Sequence, residues 1–435
     1  MRRPDPYVIR AGNPDPTLTG VAGLVGFGRF LRDLGVDRRL HAEFDRLKVG
    51  RGVVYPMGAQ LRLLTDAFAM GETRVFGVEG LASDPLFVYL AGGVVPSIDT
   101  LYDDVGRFDD AALATLEDEV AEHGLVRVPK LRGPYVHFDL DTSVLPIFGE
   151  HEGAVPGPNP RYLGRPSYHP MLARIAEIGT VVGCQLRPGD TGFGADDVPT
   201  VRRWVRRAVK KLRRDASLCV RIDSAGDCAE VMQMLHEEHA FYVIKARMTP
   251  DLYGAVSWAT KWKTVDVDAD NQPIRQVTEL DFSRGTWRDK GLNVRVIAVR
   301  SLDRHGKQLP LIDGADWTVQ VFLTNRFDED ANDVAWDYDK RAGIEPLIAE
   351  FKGAWGIGHA SSYSFAANHA VFLLKMLAHN LLDRYATEQF PDLPRWRTPW
   401  RRRTLLRVPG RLSKSGRGRK IHLPPGSPLL NPKRE

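Results

Sequence analysis

Residues 135–145 have the sequence YVHFDLDTSVL, and this stretch decides the fold of the chain. Its apolar side chains fall at every second position, while Asp139 and Asp141 lie on the opposite face. Alternation with a period of two predicts a β-strand that is buried on one face. The two carboxylates make the polar face of this strand the first candidate for chemistry.

The segments that follow residue 145 predict further strands and helices in a definite order. Strand-like runs are predicted at 171–178, 181–186, 218–222 and 241–246, with amphipathic helices at 198–212 and 228–239. The order β-β-β-α-β-α-β is that of the RNase H core, a mixed sheet with helices on both faces. We therefore predict the α/β fold class, with an RNase H-like mixed-sheet core.

The remaining segments predict how the domains are arranged. Apolar residues at helical spacing predict helices within 27–44, 57–70, 98–108 and 113–120, with Ser97 as an N-cap. Helical spacing returns at 334–355 and 364–385. The predicted domains are an N-terminal helical DNA-binding domain (1–130), the first part of the core (131–249), an all-β insertion (250–323), the C-terminal helical part of the core (324–390) and a basic tail (391–435).

The charge of the chain is concentrated at one end. The 435 residues carry a net charge of +5, but residues 395–435 hold 13 Lys and Arg against one acidic residue. The rest of the chain has a net charge of −7. A basic segment with Trp396 and Trp400 between its arginines favours binding to a polyanion such as DNA. The alternative is a tail that only confers solubility.

Other protein classes find little support in the sequence. The chain has no apolar run of 18 residues and no apolar stretch behind its N-terminal charges, so we expect neither a membrane span nor a signal peptide. We therefore expect a soluble, cytosolic protein. The three cysteines form no C-x-x-C pair, which argues against a disulfide framework and a structural zinc site.

Three carboxylates stand at positions suited to a metal site. Asp141 lies on the polar face of the first strand, Asp223 follows the apolar run 218–222, and Glu345 lies on a predicted helix after the insertion. Mg²⁺ prefers oxygen ligands, and two ions about 3.5–4 Å apart can activate an attacking oxygen and stabilise a leaving one. Taken singly, an aspartate at a strand end is more often a turn or cap residue.

The region around Glu345 has a second regularity. Tyr338, Arg341, Glu345 and Lys352 follow the spacing Y-x2-R-x3-E-x6-K. At about 100° per residue, one continuous helix would place all four within a face roughly 60° wide. A carboxylate surrounded by such donors suits the handling of phosphate groups. The alternative is an exposed face with an ordinary i,i+4 ion pair.

Pro346 limits this helical argument. Proline inside a helix costs about 3 kcal/mol, whereas proline in the first turn is tolerated. The helix could therefore begin close to Gly343, and the common face would then hold only approximately for Tyr338 and Arg341.

Because of these residues and their spacing, the chain resembles cut-and-paste insertion-sequence transposases with a DDE domain. The likeness covers about residues 60–425 and rests on the Y-x2-R-x3-E-x6-K spacing together with several blocks. These blocks are 139–144 with Gly149 and 152–154, 164–170, 187–191, 221–224, 324–325 and 365–368.

The resemblance implies a DNA endonuclease and strand transferase. Its DDE triad would be Asp141, Asp223 and Glu345, binding two Mg²⁺ ions, with Mn²⁺ as a possible substitute. Tyr338, Arg341 and Lys352 would contact DNA near the cleaved end. The implied partners are terminal inverted repeats, target DNA and a second copy of the chain in a homodimer. Asp139 shares its face with Asp141, and we favour Asp141 because Thr142 and Ser143 follow it.

Two alternatives remain open from the sequence. One is an inactive, transposase-derived DNA-binding protein, which Mg²⁺ titration would separate from the enzyme. The other is a stand-alone RNase H-like nuclease, which would cut DNA without paired inverted repeats.

Overall fold

The computed structural model describes residues 15–157, 163–302, 317–416 and 418–432 of the chain. The chain divides into two compact units, one made of residues up to Asp103 and from Arg384 onward, the other of Asp104–Asp383. The N-terminal boundary expected at residue 130 differs from this division. The reason is that the helix carrying Gly124 packs on the core sheet, where the Gly124 carbonyl accepts a hydrogen bond from Thr180 Oγ1 (2.7 Å).

The first part of the chain is helical, as predicted. Its elements are β1 (Leu18–Thr19), α1 (Leu24–Asp33), α2 (Val36–Phe44), α3 (Met57–Met70), α4 (Val78–Leu81), α5 (Pro85–Leu90), α6 (Ile98–Val105) and α7 (Asp110–Leu125). The segment 27–44 forms two helices because Gly35 adopts a left-handed conformation (φ 71°) between them. The predicted cap is confirmed, since Ser97 Oγ accepts a hydrogen bond from the Thr100 N–H (3.2 Å).

The core begins at the strand that contains Asp141. Its elements are β2 (Tyr135–Thr142), β3 (Leu145–Pro146), β4 (Val155–Pro156), β5 (Pro166–Tyr168), β6 (Met171–Ile175), β7 (Thr180–Gln185), α8 (Val198–Val209), β8 (Ser217–Ile222), α9 (Ala229–Glu237) and β9 (Phe241–Lys245). In the sheet these strands lie in the order β7-β6-β2-β8-β9. Strands β6 and β7 are antiparallel to their neighbours, whereas β2, β8 and β9 are parallel. This is the RNase H arrangement, and it confirms the predicted core.

The predicted all-β insertion needs a correction. It contains α10 (Pro250–Ser257), β10 (Lys263–Val267), β11 (Pro273–Leu280), α11 (Gly285–Asp289), β12 (Arg295–Leu302) and β13 (Trp317–Thr324). It therefore includes two helices, and its strands extend the core sheet rather than forming a separate one. The cause is the free edge of β9, where Ile244 pairs with Leu323 of β13. Residues 303–316 of the predicted insertion lie outside the described residues.

Apolar side chains cover both faces of the nine-stranded sheet. One cluster joins Phe138 of β2 and Val220 of β8 to Trp204 of α8 and also to Val296 of β12. The cluster on the other face includes Val243 and Ile297. Because core strands and insertion strands share the same apolar clusters, the sheet is packed as one structure.

The chain continues with helices and a small sheet. The elements are α12 (Ala331–Asp339), a 3-10 turn (Lys340–Gly343), α13 (Ile344–Gly353), α14 (Phe365–Gln389), α15 (Thr398–Arg401), a π-helical turn (Arg402–Leu406), β14 (Gly410–Ser415) and β15 (Gly418–His422). Strands β14 and β15 form a three-stranded sheet with β1. Within the described residues, every helix is too short or too polar to cross a membrane.

The basic tail is folded over much of its length, and not all of its cations face solvent. Arg402 is buried and donates to the carbonyl groups of Phe68 and Ala69 (both 2.9 Å), at the end of α3. Arg407 donates to the carbonyl of Met70 (2.6 Å). These two arginines satisfy the carbonyls that a helix leaves unpaired at its C-terminus. Other tail cations, namely Arg417, Lys433 and Arg434, lie outside the described residues, as do the N-terminal charges of residues 1–5.

Candidate active site

Asp141 and Asp223 lie side by side on neighbouring parallel strands. The last paired residues of β2 and β8 are Leu140 and Ile222, and each aspartate directly follows its member of that pair. Neighbouring strands lie about 4.8 Å apart, so the two carboxylates occupy adjacent positions at the carboxyl ends of the strands. Asp223 Oδ1 also accepts a hydrogen bond from the Ala225 N–H (3.0 Å), which orients its side chain.

The environment of Asp141 is mixed. Its Oδ1 accepts from the Thr142 N–H (2.9 Å) and pairs with Arg341 Nη2 (3.1 Å). Burial raises the pKa of Asp141 above its usual value, the positive charge of Arg341 lowers it, and the negative charge of Asp223 raises it again. Burial is the largest of these effects, so the net shift of the Asp141 pKa is upward.

Asp139 differs sharply from Asp141, although the two share a face of β2. Asp139 is fully buried. Its Oδ2 accepts from Arg174 Nη2 (2.9 Å) and Nε (3.1 Å), and its Oδ1 accepts from Arg221 Nε (2.6 Å). Both oxygens are thus engaged by guanidinium groups, which leaves Asp139 poorly placed to bind an ion. This arrangement favours Asp141 as the first metal ligand.

The segment carrying Glu345 corrects the prediction of a single helical face. Tyr338 lies in α12, Arg341 in the 3-10 turn, and Glu345 and Lys352 in α13. Tyr338 and Arg341 are buried, whereas Glu345 and Lys352 are exposed. The interruption allows α13 to begin at Ile344, as the alternative prediction required.

Pro346 is consequently the third residue of α13, within its first turn. Backbone N–H groups in the first turn have no partner inside the helix, so proline removes no helical hydrogen bond there. Pro346 is compatible with an intact site.

Three hydrogen bonds fasten this segment to the end of the sheet. Arg221 Nη1 donates to the carbonyl of Asp337, and Arg341 Nη2 donates to the carbonyl of Leu140 (3.1 Å). Arg174 Nη1 donates to the carbonyl of Gly343 (2.6 Å). Because Gly343 precedes Glu345 by two residues, the bond from Arg174 ties the start of α13 to β6, the strand next to β2.

Tyr338 lies near the charged side chains of this site. Its ring packs on Phe322 with 4.6 Å between centroids. Burial raises the pKa of Tyr338 to about 12, and charges on Arg341, Asp223 and Asp141 also influence it. The phenol is therefore neutral at physiological pH and remains a hydrogen-bond donor.

Sequence reasoning missed the arginines that organise this site. Arg174 and Arg221 stand inside the strand runs MLARI and SLCVRI, which are otherwise almost wholly apolar. A cation within such a run must find a buried partner, because an unpaired buried charge is very costly. That pattern was the available signal, and Asp139 is the partner.

Arg247 also supports the site. Its Nε donates to the carbonyl of Ser224 (2.8 Å) and its Nη2 to that of Ala225 (3.1 Å), in the turn after Asp223. Its backbone N–H donates to Asp227 Oδ2 (2.7 Å). Arg247 thus braces the turn that orients Asp223.

A different group of residues has the spacing of a metal site. Ligand atoms of His137, Cys219 and Asp337 all lie within 4.8 Å of one another, and this is the one group of three found in the described part of the chain. A cation already lies there, because Arg326 Nη1 contacts Asp337 Oδ2 (2.7 Å) and Cys219 Sγ (3.7 Å). Burial raises the pKa of Cys219 to about 12, so it remains a thiol. We interpret this group as a buried ionic network.

The arginines of α8 do not form a free basic surface. Arg202 and Arg206 pair with Glu237 (2.7 Å) and Glu238 (2.8 Å) respectively. On the other side of the helix, Glu117 of α7 pairs with Arg203 and Arg207 (2.5 and 3.1 Å). These acidic partners reduce the attraction of α8 for a polyanion.

Comparison with known proteins identifies the family. The family model described as transposase DDE domain, group 1, matches residues 9–431. The chain belongs to this transposase family. The transposase is accordingly a DNA nuclease and strand transferase that acts in cut-and-paste transposition, and DDE transposases generally use divalent metal ions. No curated protein matches its sequence.

Two solved structures are similar to the transposase at low identity. One is a piggyBac transposase synaptic complex with hairpin DNA, with 12% identity, a TM-score of 0.47, and 88% of this chain and 78% of that chain covered. The other is a Drosophila P element transposase strand transfer complex, with 14% identity, a TM-score of 0.25, and 54% and 50% of the two chains covered.

Proposed function

We propose that the transposase cleaves DNA at terminal inverted repeats and joins the freed 3′-OH to target DNA, using Asp141, Asp223 and Glu345 as its catalytic carboxylates. The observation that carries this proposal is the position of Asp141 and Asp223 directly after the paired residues Leu140 and Ile222. The hydrogen bond from Arg174 of β6 to Gly343 holds the start of the helix with Glu345 at the strand next to β2.

The carboxylates suit Mg²⁺, with Mn²⁺ as a substitute. Magnesium keeps several water ligands and is usually held by only one or two protein carboxylates, so three carboxylates can serve two ions. When bound, the ions would supply charge stabilisation for the attacking and leaving oxygens. Asp223 is oriented for this role by the hydrogen bond that its Oδ1 accepts from the Ala225 N–H.

We assign DNA contacts to the donors around the carboxylates. Lys352 is exposed on the helix that carries Glu345, where its ammonium group can meet a phosphate. Tyr338 is a neutral donor, and Arg341 is a cation beside Asp141. Fixed donors of this kind stabilise negative charge that develops on a phosphate during transfer.

Recognition of the element ends is assigned to the unit outside the core. The N-terminal helices and the basic C-terminal segment belong to one compact unit, which supports a shared role in binding DNA. Two element ends must be cut and joined, so we propose a homodimer on DNA. We place its action on the bacterial nucleoid in the cytoplasm.

DNA-end cleavage tests the proposal. Purified protein is incubated with Mg²⁺ and a duplex that carries the terminal repeat, beside Glu345→Gln, Asp223→Asn and the control Asp289→Asn. Asp289 is an exposed carboxylate at the end of α11. We expect cleavage at the repeat boundary by the wild type and the control, and none by the two site variants.

Each contrary outcome has a definite meaning. Repeat-specific binding without cleavage in either Mg²⁺ or Mn²⁺ would contradict the proposal and favour an inactive DNA-binding descendant. Cleavage that ignores the repeat would favour a stand-alone nuclease. Full cleavage by Glu345→Gln would remove Glu345 from the triad.

A further inference from the structure

Strands β14 and β15 form a two-stranded ribbon at the C-terminal end of the chain. We call residues 410–416 and 418–422 the C-terminal ribbon. Within the described residues, its pairing with another strand is limited to its first residues, since Gly410 and Arg411 pair with Thr19 and Leu18 of β1. The strands of the ribbon pair with each other from Arg411 and His422 to the turn.

The two faces of the C-terminal ribbon differ. Directly opposite residues in an antiparallel pair point to the same side. The pair Leu412 and Ile421 is half-buried, and Gly410 on that face lies so close to Ile421 and Ala22 that an added Cβ would meet them at 2.9 and 3.0 Å. This inner face therefore packs on the protein, and near the turn Arg419 stacks on the ring of Tyr89 (3.8 Å).

The outer face is polar and points to solvent. It presents the pairs Arg411–His422 and Ser413–Lys420. Arg411, Lys420 and His422 are exposed, and Ser413 Oγ lies 2.9 Å from His422 Nε2. Arg411 forms a long ion pair with Asp15, at 3.9 Å. Each side chain of this face carries a hydrogen-bonding group.

The charge of the C-terminal segment is of one sign. Residues 410–422 contain five Lys and Arg and no acidic residue. By contrast, the arginines of α8 are paired with glutamates. The cations of the outer face are thus available to a polyanion in a way that those of α8 are not.

We propose that the C-terminal ribbon recognises duplex DNA by placing its outer face in the major groove. This inference rests on the proposed function and specifies how the DNA is bound. The B-DNA major groove, about 12 Å wide, admits a two-stranded β-ribbon. Donors on the outer face then meet base edges and the flanking phosphates. Duplex RNA does not fit, because its major groove is too deep and narrow for side chains to read.

The test measures DNA binding by the full-length protein in EDTA, so that cleavage does not intervene. Fluorescence anisotropy compares a labelled terminal-repeat duplex with a scrambled duplex of the same length and composition. Arg411→Gln/Lys420→Gln removes the two cations of the outer face. Ser413→Ala/His422→Gln removes the hydroxyl and the imidazole ring of this face. The control is Arg214→Gln/Arg288→Gln, an equal loss of charge at exposed residues of the other compact unit.

We expect the loss of the two cations to weaken binding to the repeat by about tenfold or more. For each lost phosphate contact, the slope of log K against log salt should become shallower by about 0.9. The variant without Ser413 and His422 should mainly lose preference for the repeat over the scrambled duplex. Unchanged thermal unfolding midpoints exclude misfolding as the cause.

Two outcomes would overturn the ribbon proposal. One is wild-type affinity and salt slope in Arg411→Gln/Lys420→Gln. The other is an equal loss in that variant and in the control, since that would reflect net charge alone. Failure of the proposed function can be distinguished from failure of the ribbon proposal. If the wild-type protein binds the repeat through the ribbon but never cleaves it, the ribbon proposal still holds and the proposed function does not.

Discussion

Arg341 and Asp141 form an ion pair in which Nη2 lies 3.1 Å from Oδ1, while the same nitrogen also donates to the carbonyl of Leu140. One guanidinium group therefore holds both the side chain of the candidate metal ligand and the backbone just before it. The pair links the 3-10 turn before Glu345 to β2. The charge of Arg341 also lowers the pKa of Asp141, against the larger effect of burial.

We predict that Arg341→Met moves the acidic limb of the pH–rate profile for DNA cleavage to higher pH. Arg341 lowers the pKa of Asp141, whereas burial and Asp223 raise it, so removal of Arg341 raises that pKa further. Cleavage would then need a higher pH to ionise the carboxylate. The rate is measured across pH at saturating DNA.

The neighbouring Lys340 provides the control for that experiment. Its side chain is 72% exposed, and its Nζ lies 3.5 Å from Asp337 rather than beside Asp141. Lys340→Met should leave the acidic limb in place. If Arg341→Met also left it in place, Asp141 would not be the titrating group.

We predict opposite behaviour for Asp139→Asn and Asp141→Asn. Removal of the Asp139 charge leaves the buried Arg174 without its counter-ion and Arg221 with a long pair to Asp337 (3.9 Å). Breaking a buried pair in this way costs about 3–5 kcal/mol. Asp141→Asn should unfold at nearly the wild-type urea concentration but lose cleavage. Urea unfolding and cleavage are measured for both variants, and a stable Asp139→Asn would contradict the structural role of Asp139.

We predict that the folded protein loses stability at alkaline pH because His137 loses its proton. Its Nδ1 lies 2.6 Å from Glu177 and its Nε2 2.7 Å from Asp337. Burial lowers the pKa of His137, but the hydrogen bonds to the two carboxylates raise it above the usual 6.5 overall. Protonated His137 therefore stabilises the fold fully below about pH 6.5, and this contribution is lost as pH rises through the folded-state pKa.

The free energy of unfolding in urea, measured between pH 6 and 9, checks this prediction. The wild type should lose stability with rising pH, and His137→Gln should show a flatter dependence. His239→Gln is the control, because His239 is an exposed histidine outside this network. Parallel curves for the wild type and His137→Gln would show that His137 does not titrate in this range.

We predict that Gly343→Ala weakens metal-dependent cleavage without weakening DNA binding. A Cβ at Gly343 would meet Arg174 Nη2 at 2.7 Å, so the guanidinium that fastens the start of α13 would have to move. Displacing a group that orients metal ligands typically costs about 10–100-fold in metal affinity or activity. The measurement is the Mg²⁺ concentration that gives half-maximal cleavage, with anisotropy in EDTA for DNA binding.

Gly353→Ala, at the last residue of α13, is the matched control. A Cβ at Gly353 meets nothing within 4 Å, so this variant should cleave like the wild type. Equal Mg²⁺ requirements in Gly343→Ala and the wild type would show that the contact with Arg174 does not position Glu345.

The sequence by itself determined the strand and helix order of the core. The alternation in 135–145 and the apolar run 218–222 are local patterns, and each produced the strand expected from its period. The same patterns placed Asp141 and Asp223 at the strand ends. The choice of Glu345 came from the spacing of four residues, and Pro346 correctly indicated that α13 begins near Gly343.

The tertiary structure alone distinguished residues that are equivalent in the sequence pattern but have different surroundings. Asp139 and Asp141 are equivalent in the strand pattern, and they differ because Arg174 and Arg221, distant in sequence, pair with Asp139, whereas Arg341 pairs with Asp141. In the same way, the sequence does not distinguish Arg402 from the other cations of the tail, whereas in the structure Arg402 donates to a carbonyl at the end of α3. Local periodicity reports which face of an element is buried, but the partner of a buried charge lies on another element, and the fold alone brings the two together.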